Sequence, residues 1–171
     1  MSNLRVNNID QDSVKDLRKK VEENGSIPME RVIEGEFRLE GSPMFVAEMR
    51  TETTKVVVTA DEPKVLGGQG VHGTPLSYVL FGILACFAST LAIVASDKGI
   101  SLGKLRVTGR IQYDLAPVVT ESDSKIISKV IIDVGSDKNL ESVLPIAVKR
   151  CPALYLTINP IPVEVRQVQQ G

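Results

Sequence analysis

A chain of 171 residues is long enough for one domain with a sizeable core, and 43% hydrophobic with 24% charged residues is an ordinary globular balance. The formal charge of −1 leaves no basic surplus for a nucleic acid or an anionic membrane, and 4% aromatic content without tryptophan offers no base-stacking surface. One histidine and two cysteines cannot fill a zinc site of ordinary composition.

The N-terminus, MSNLRVNNIDQDSVKD, has no apolar run of the secretory kind, so a cytoplasmic location is expected. Residues Met1 to Ile9 show no periodicity and are expected to be loose. Asp12 or Ser13 caps a helix that continues as VKDLRKKVEEN, with Val14, Leu17 and Val21 as a narrow apolar stripe and Gly25 as its stop. Residues 1–30 therefore read as an N-terminal extension with a short helix, and 31–171 as a single domain.

Three strands follow. In Arg31 to Glu40, Ile33, Phe37 and Leu39 alternate with Glu34, Glu36, Arg38 and Glu40, the period of a sheet with one wet face. Gly41-Ser42-Pro43 makes a turn, Phe45, Ala47 and Met49 alternate with Val46, Glu48 and Arg50, and the β-branched TTKVVVTA forms a third strand. The segment DEPKVLGGQGVHGT is a Gly-rich loop.

From Val65 to Ser96 there is no Asp, Glu, Lys or Arg. Pro75 suits a helix start, and Asp97, Lys98 and Gly99 supply a polar close, so PLSYVLFGILACFASTLAIVASDK predicts a helix about 35 Å long at about 1.5 Å per residue. It is apolar on every face and must be surrounded. Tyr78 to Ala95 approaches the length of a membrane span, but its Gly, Ala, Ser and Thr content, with no second span to pack on, favours a buried helix closely packed in a soluble fold.

Beyond it, Leu105, Val107, Ile111, Tyr113 and Leu115 alternate with polar residues, and KIISKVIIDV is the antiparallel partner across a loop at Thr120 to Ser124. A helix from about Asn139 carries Leu140, Val143, Leu144 and Ala147, and Pro145 kinks it or starts it afresh. Cys151-Pro152 reads as a helix cap followed by Pro at the first helical position, and IPVEVRQV as a last strand. Strands and helices do not alternate singly, so the fold class is α+β with antiparallel pairs rather than a doubly wound parallel sheet.

Cys86 and Cys151 carry the chemistry open to this composition. In a reducing compartment they are structural thiols or a redox couple. Cys151 at a helix start, after Lys149 and Arg150, is the thiol that local charge favours as thiolate, whereas Cys86 is buried mid-helix. His72 in the Gly-rich loop and Ser77 in the first helical turn are lesser candidates.

LGGQGVHGTPLSYVLFGILACF, the CP pair Cys151-Pro152 about 65 residues later, and the strand order around them resemble the OsmC/Ohr family, which comprises osmotically inducible protein C and the organic hydroperoxide resistance proteins. The likeness runs from roughly Arg31 to Val168. It implies OsmC-like antiparallel sheets around a long buried central helix in an intertwined homodimer. It implies a thiol peroxidase of organic hydroperoxides without metal or organic cofactor, with Cys86 as the peroxidatic thiolate, Cys151 as the resolving thiol and an external dithiol as reductant. In the peroxidase branch a Glu nine or ten residues before the first cysteine pairs with an activating Arg. Here those places hold Leu76 and Ser77, and Arg50 is the nearest candidate for the Arg, with Arg38 in reserve. That departure keeps a second reading open, a non-catalytic dimer of the same scaffold that binds a small apolar ligand.

Overall fold

The computed structural model describes residues 5–169. The fold is α+β, with three small antiparallel sheets and one long helix. Strands β1 (Arg5–Val6) and β2 (Ile9–Asp10) form a hairpin where a loose terminus was expected; residues 1–4 of that expectation lie outside the described chain. Asn7 and Asn8 make the two-residue turn at φ 52° and 64°, a conformation asparagine tolerates better than most residues. The Asn7 amide then bridges three groups across the molecule. It donates to Ser96 Oγ at 3.0 Å and to the Ile100 carbonyl at 2.9 Å, and accepts from the Leu102 N–H at 2.8 Å. Helix α1 (Gln11–Asn24) follows, capped by Asp10 rather than by Asp12 or Ser13, because the Asp10 carboxylate accepts from both of their N–H groups. The helix buries none of its residues, and Arg18 ties it to Asp97 through two 2.9 Å bonds.

Strands β3 (Glu34–Phe37), β4 (Phe45–Arg50) and β5 (Lys55–Ala60) form an antiparallel meander. The first is shorter than its alternation predicts, and Leu39 is left exposed beyond it. The Gly-rich loop includes a single 3₁₀ turn (Lys64–Leu66) and returns along β5, held by the Asp61 N–H on the Gly73 carbonyl at 3.1 Å. Helix α2 (Pro75–Asp97) begins at Pro75 as predicted; Thr74 caps it, and the Tyr78 hydroxyl donates back to the Thr59 carbonyl at 2.8 Å.

Strands β6 (Leu105–Tyr113) and β7 (Ile127–Ser136) make the third sheet, with a short helix α3 (Ala116–Val119) in the connection. Gly109 lets α2 lie close on β6, since a Cβ there would stand 2.8 Å from a Leu80 methyl and 2.9 Å from a Leu84 methyl. Pro145 starts a helix afresh as α4 (Leu144–Arg150), so Leu140 and Val143 precede the helix they were expected to lie in. Helix α5 (Pro152–Ile158) follows at once, and the chain beyond it has no regular secondary structure over residues 160–169. IPVEVRQV thus has strand composition and no strand: among the described residues it pairs with none of the sheets, and composition alone does not make a strand.

The core joins one stripe of α2 (Ile83, Phe87, Leu91, Val94 and Ala95) to Leu102, Leu140, Val143, Ala147, Cys151 and Leu154. The second half of α2 is enclosed and the first half is not: Tyr78, Val79 and Phe81 face outward, with Phe81 68% exposed. The expectation of a helix surrounded on every face is therefore met by this chain only in part. The β3–β4–β5 sheet contributes no residue to that core and exposes Phe37, Phe45, Met49, Val56 and Val57. By length and composition α2 could cross a bilayer; here it packs on β6, α4 and α5.

Candidate functional site

Cys151 is the joint between two short helices. It closes α4 and caps α5 in extended backbone, φ −78° and ψ 116°, the conformation a following proline enforces. Ala147 and Leu154, one turn to either side, are buried against α2, so the joint is pressed onto the middle of that helix. The result brings two thiols remote in sequence together: Cys151 Sγ lies 3.6 Å from Cys86 Sγ, and both are free. Cys151 is 1% exposed, whereas Cys86 is half-buried and not the enclosed thiol that its place in an apolar helix predicts.

The surroundings of Cys86 set its acidity. Burial pushes its thiol above the ordinary range, since an anion is costly away from water. The Ala153 N–H, in the first turn of α5, pulls the other way by donating to the sulfur. Cys151 raises it again, because two thiolates this close cannot both be charged, and the Thr90 hydroxyl lowers it. None of these groups is a cation. Arg150, next to Cys151 in sequence, turns instead toward Asp97 at the far end of α2, 4.0 Å away, and Lys149 is exposed.

The remaining sequence candidates lie elsewhere. Arg50 ends β4, where its side chain is 76% exposed and paired with Glu48, which also holds Lys55. Arg38 is exposed beyond β3. Within its own chain neither is a partner of Cys86. His72 shares a 3.0 Å hydrogen bond with Thr59 Oγ1 and so fastens the Gly-rich loop to β5. Ser77 is exposed and bonded to Thr74 Oγ1 at 2.7 Å. Ser77 and Leu76 line an open groove of about 350 Å³ with Thr74, Leu80 and Gly109 to Tyr113, roughly 13–15 Å along the helix from Cys86 at its 1.5 Å rise. Among the described residues, no group of three or more His, Cys, Asp or Glu could hold a metal ion.

Two features escaped the sequence reading. Thr90 lies one turn beyond Cys86 and donates to its carbonyl at 2.9 Å, a relation that the i, i+4 spacing contains. Asp61, 1% exposed, anchors the Gly-rich loop by accepting from Ser42 Oγ at 3.1 Å, while its Oδ1 has no hydrogen-bond partner; nothing in DEPKVLGG distinguishes that acid from a surface one.

Comparison with known proteins gives a consistent answer about the scaffold. The model for the OsmC-like protein family matches residues 67–166, which include both cysteines and the second half of the Gly-rich loop from Gly67. An organic hydroperoxide resistance protein OsmC from Legionella pneumophila superposes with a TM-score of 0.60 at 18% identity, covering 78% of this chain and 92% of that one. An OsmC-like protein from Mycoplasma pneumoniae gives 0.57 at 17% identity, over 77% and 89% of the two chains. An organic hydroperoxide resistance protein of Vibrio cholerae, crystallised with captopril in one of its active sites, gives 0.54 at 18% identity over 79% and 88%. At these identities the likeness is one of fold. No curated protein matches the chain.

Proposed function

Because the chain belongs to the OsmC-like protein family, we propose that it is a cysteine-based peroxidase that reduces organic hydroperoxides through Cys86 and Cys151. The observation that carries this reading is the 3.6 Å approach of the two free sulfurs, one buried and one half-buried. A disulfide needs about 2.05 Å, so the thiols are poised to join after a small movement of the α4–α5 joint.

In the reaction, the Cys86 thiolate attacks one peroxide oxygen, the O–O bond breaks, and the alkoxide leaves as an alcohol on taking a proton. Cys86 becomes a sulfenic acid. The Cys151 sulfur then attacks Cys86 Sγ, the S–O bond breaks, and water leaves with the thiol proton. The product is a Cys86–Cys151 disulfide, which an external dithiol reduces by thiol–disulfide exchange. No metal or organic cofactor enters. Arg50 is the cation this reading assigns to the thiolate. Arg50 pairs with Glu48 in its own chain, so this reading has it delivered by a second copy whose β3–β4–β5 sheet covers the open half of α2. The exposed apolar residues of that sheet and of the first half of α2 support such an intertwined homodimer.

One observation favours the second reading, an apolar-ligand-binding dimer without peroxide chemistry: Leu76 and Ser77 cannot hold an activating arginine, and the groups acting on Cys86 are neutral. Mixing the reduced protein with cumene hydroperoxide separates the two. The peroxidase loses both thiols rapidly, Cys86→Ser loses none at that rate, and Cys151→Ser stops at a sulfenic acid that dimedone traps. Wild-type thiol loss no faster than that of Cys86→Ser leaves the binding reading in possession.

A further inference from the structure

The carboxylate of Asp97, at the end of α2, has two arginines on it. One nitrogen of Arg18, from α1, donates to both of its oxygens at 2.9 Å. Arg150, the last residue of α4 and the neighbour of Cys151, approaches one of the same oxygens only to 4.0 Å. Two guanidinium groups repel each other, so the one seated on the carboxylate keeps the other at the limit of an ion pair. The fold does not require this unequal sharing. Helix α1 buries none of its residues. The hairpin before it is held separately, by Asn7 on Ser96, Ile100 and Leu102 and by Ser96 Oγ on the Val6 carbonyl at 3.0 Å.

The sharing bears on the α4–α5 joint. Helix α4 is already moored to the end of α2 at its other side, where Lys98 Nζ donates to the carbonyl of Ser142, just before the helix, at 3.2 Å. A tight Arg150–Asp97 pair would moor its last residue as well, next to Cys151. Yet Cys151 Sγ has to move from 3.6 Å to about 2.05 Å from Cys86 Sγ before a disulfide forms. We propose that Arg18 keeps Cys151 mobile: by occupying Asp97 it prevents Arg150 from tying the α4–α5 joint to the end of α2. Arg18 and Asp97 are in this sense positioning residues, and α1 acts on the thiol pair without touching it. The inference rests on the reading of Cys151 as the thiol that closes on Cys86.

The test follows alkylation of Cys151 by iodoacetamide in the Cys86→Ser background. There Cys151 is the one thiol left and, at 1% exposure, reacts only when the joint opens. Rates are taken on the alkaline plateau, where ionisation no longer limits them. Arg18→Ala should slow the reaction about threefold, the scale of the exposed ion pair that Arg150 gains, and the difference should shrink at high salt. The sign identifies the device, since losing a merely structural contact loosens the fold and speeds the reaction. Arg18→Ala added to Arg150→Ala should change nothing. Lys19→Ala, on the same helix but paired with Glu23, should follow the parent. An unchanged or faster rate in Arg18→Ala, an equal slowing in Lys19→Ala, or a slowing that survives in Arg150→Ala overturns the proposal. The two readings fail separately. Slowed alkylation in a protein that consumes no hydroperoxide keeps the competition for Asp97 and removes the peroxidase. An active peroxidase in which Arg18→Ala leaves the alkylation rate unmoved does the reverse.

Discussion

Cys86 is held as a thiol by its own chain. Burial and the nearby Cys151 sulfur both raise its ionisation above the ordinary range, and Ala153 and Thr90 offset that only in part. The sign for stability follows: the folded state favours the proton, so this contribution is present below the ordinary thiol range and is lost as pH rises through the raised folded value. For reactivity the sign is opposite, because the thiolate is the nucleophile and its share grows with pH. In the proposed dimer, an arginine supplied by the second copy would move the profile down again. In Arg50→Ala, the pH midpoint of Cys86 alkylation should therefore lie above that of wild type, at the value set by the single chain. Coincident profiles would take Arg50 out of the site.

The Gly-rich loop shows how closely an element is tied to its residues. Its turns hang on the backbone of Glu62 and Pro63, which accept from the Gly70 N–H at 3.1 Å and the Gly68 N–H at 3.3 Å. A Cβ on Gly68 would stand 2.0 Å from the Glu62 carbonyl oxygen, a backbone atom that cannot swing aside. Gly68→Ala should lower stability by about 1–3 kcal/mol in urea unfolding; an unchanged midpoint would mean that the loop does not hold this shape in solution. At this scale much was legible beforehand. The charge-free run, Pro75 and Asp97-Lys98-Gly99 mark α2, and Cys151-Pro152 marks the α4–α5 joint, since caps and prolines act locally. Elements that depend on remote partners were not legible. Two-residue strands carry no period, so the Asn7–Asn8 hairpin lay hidden until Asn7 met Ser96, Ile100 and Leu102. IPVEVRQV has the alternation of a strand, yet a strand also needs an edge to pair with. Sequence could nominate both cysteines, but their 3.6 Å approach follows from how α4 and α5 pack on α2.

Across the whole molecule, the enclosed core and the open apolar faces occupy different parts of the chain. The second half of α2 is sealed by α4, α5 and β6, while its first half, the β3–β4–β5 sheet and the tail with Val163 and Val165 remain exposed. In the proposed dimer those faces meet a second copy, but the sulfur pair is complete within one chain. This division makes a sharp demand on the oxidised product. Full-length protein treated with one equivalent of cumene hydroperoxide, run on a non-reducing gel and mapped by mass spectrometry of its proteolytic peptides, should migrate as a single chain whose Cys86 and Cys151 peptides are joined. Peptides that stay separate after peroxide is consumed, or a link found only between two chains, would contradict the pairing of these two thiols as the working redox couple.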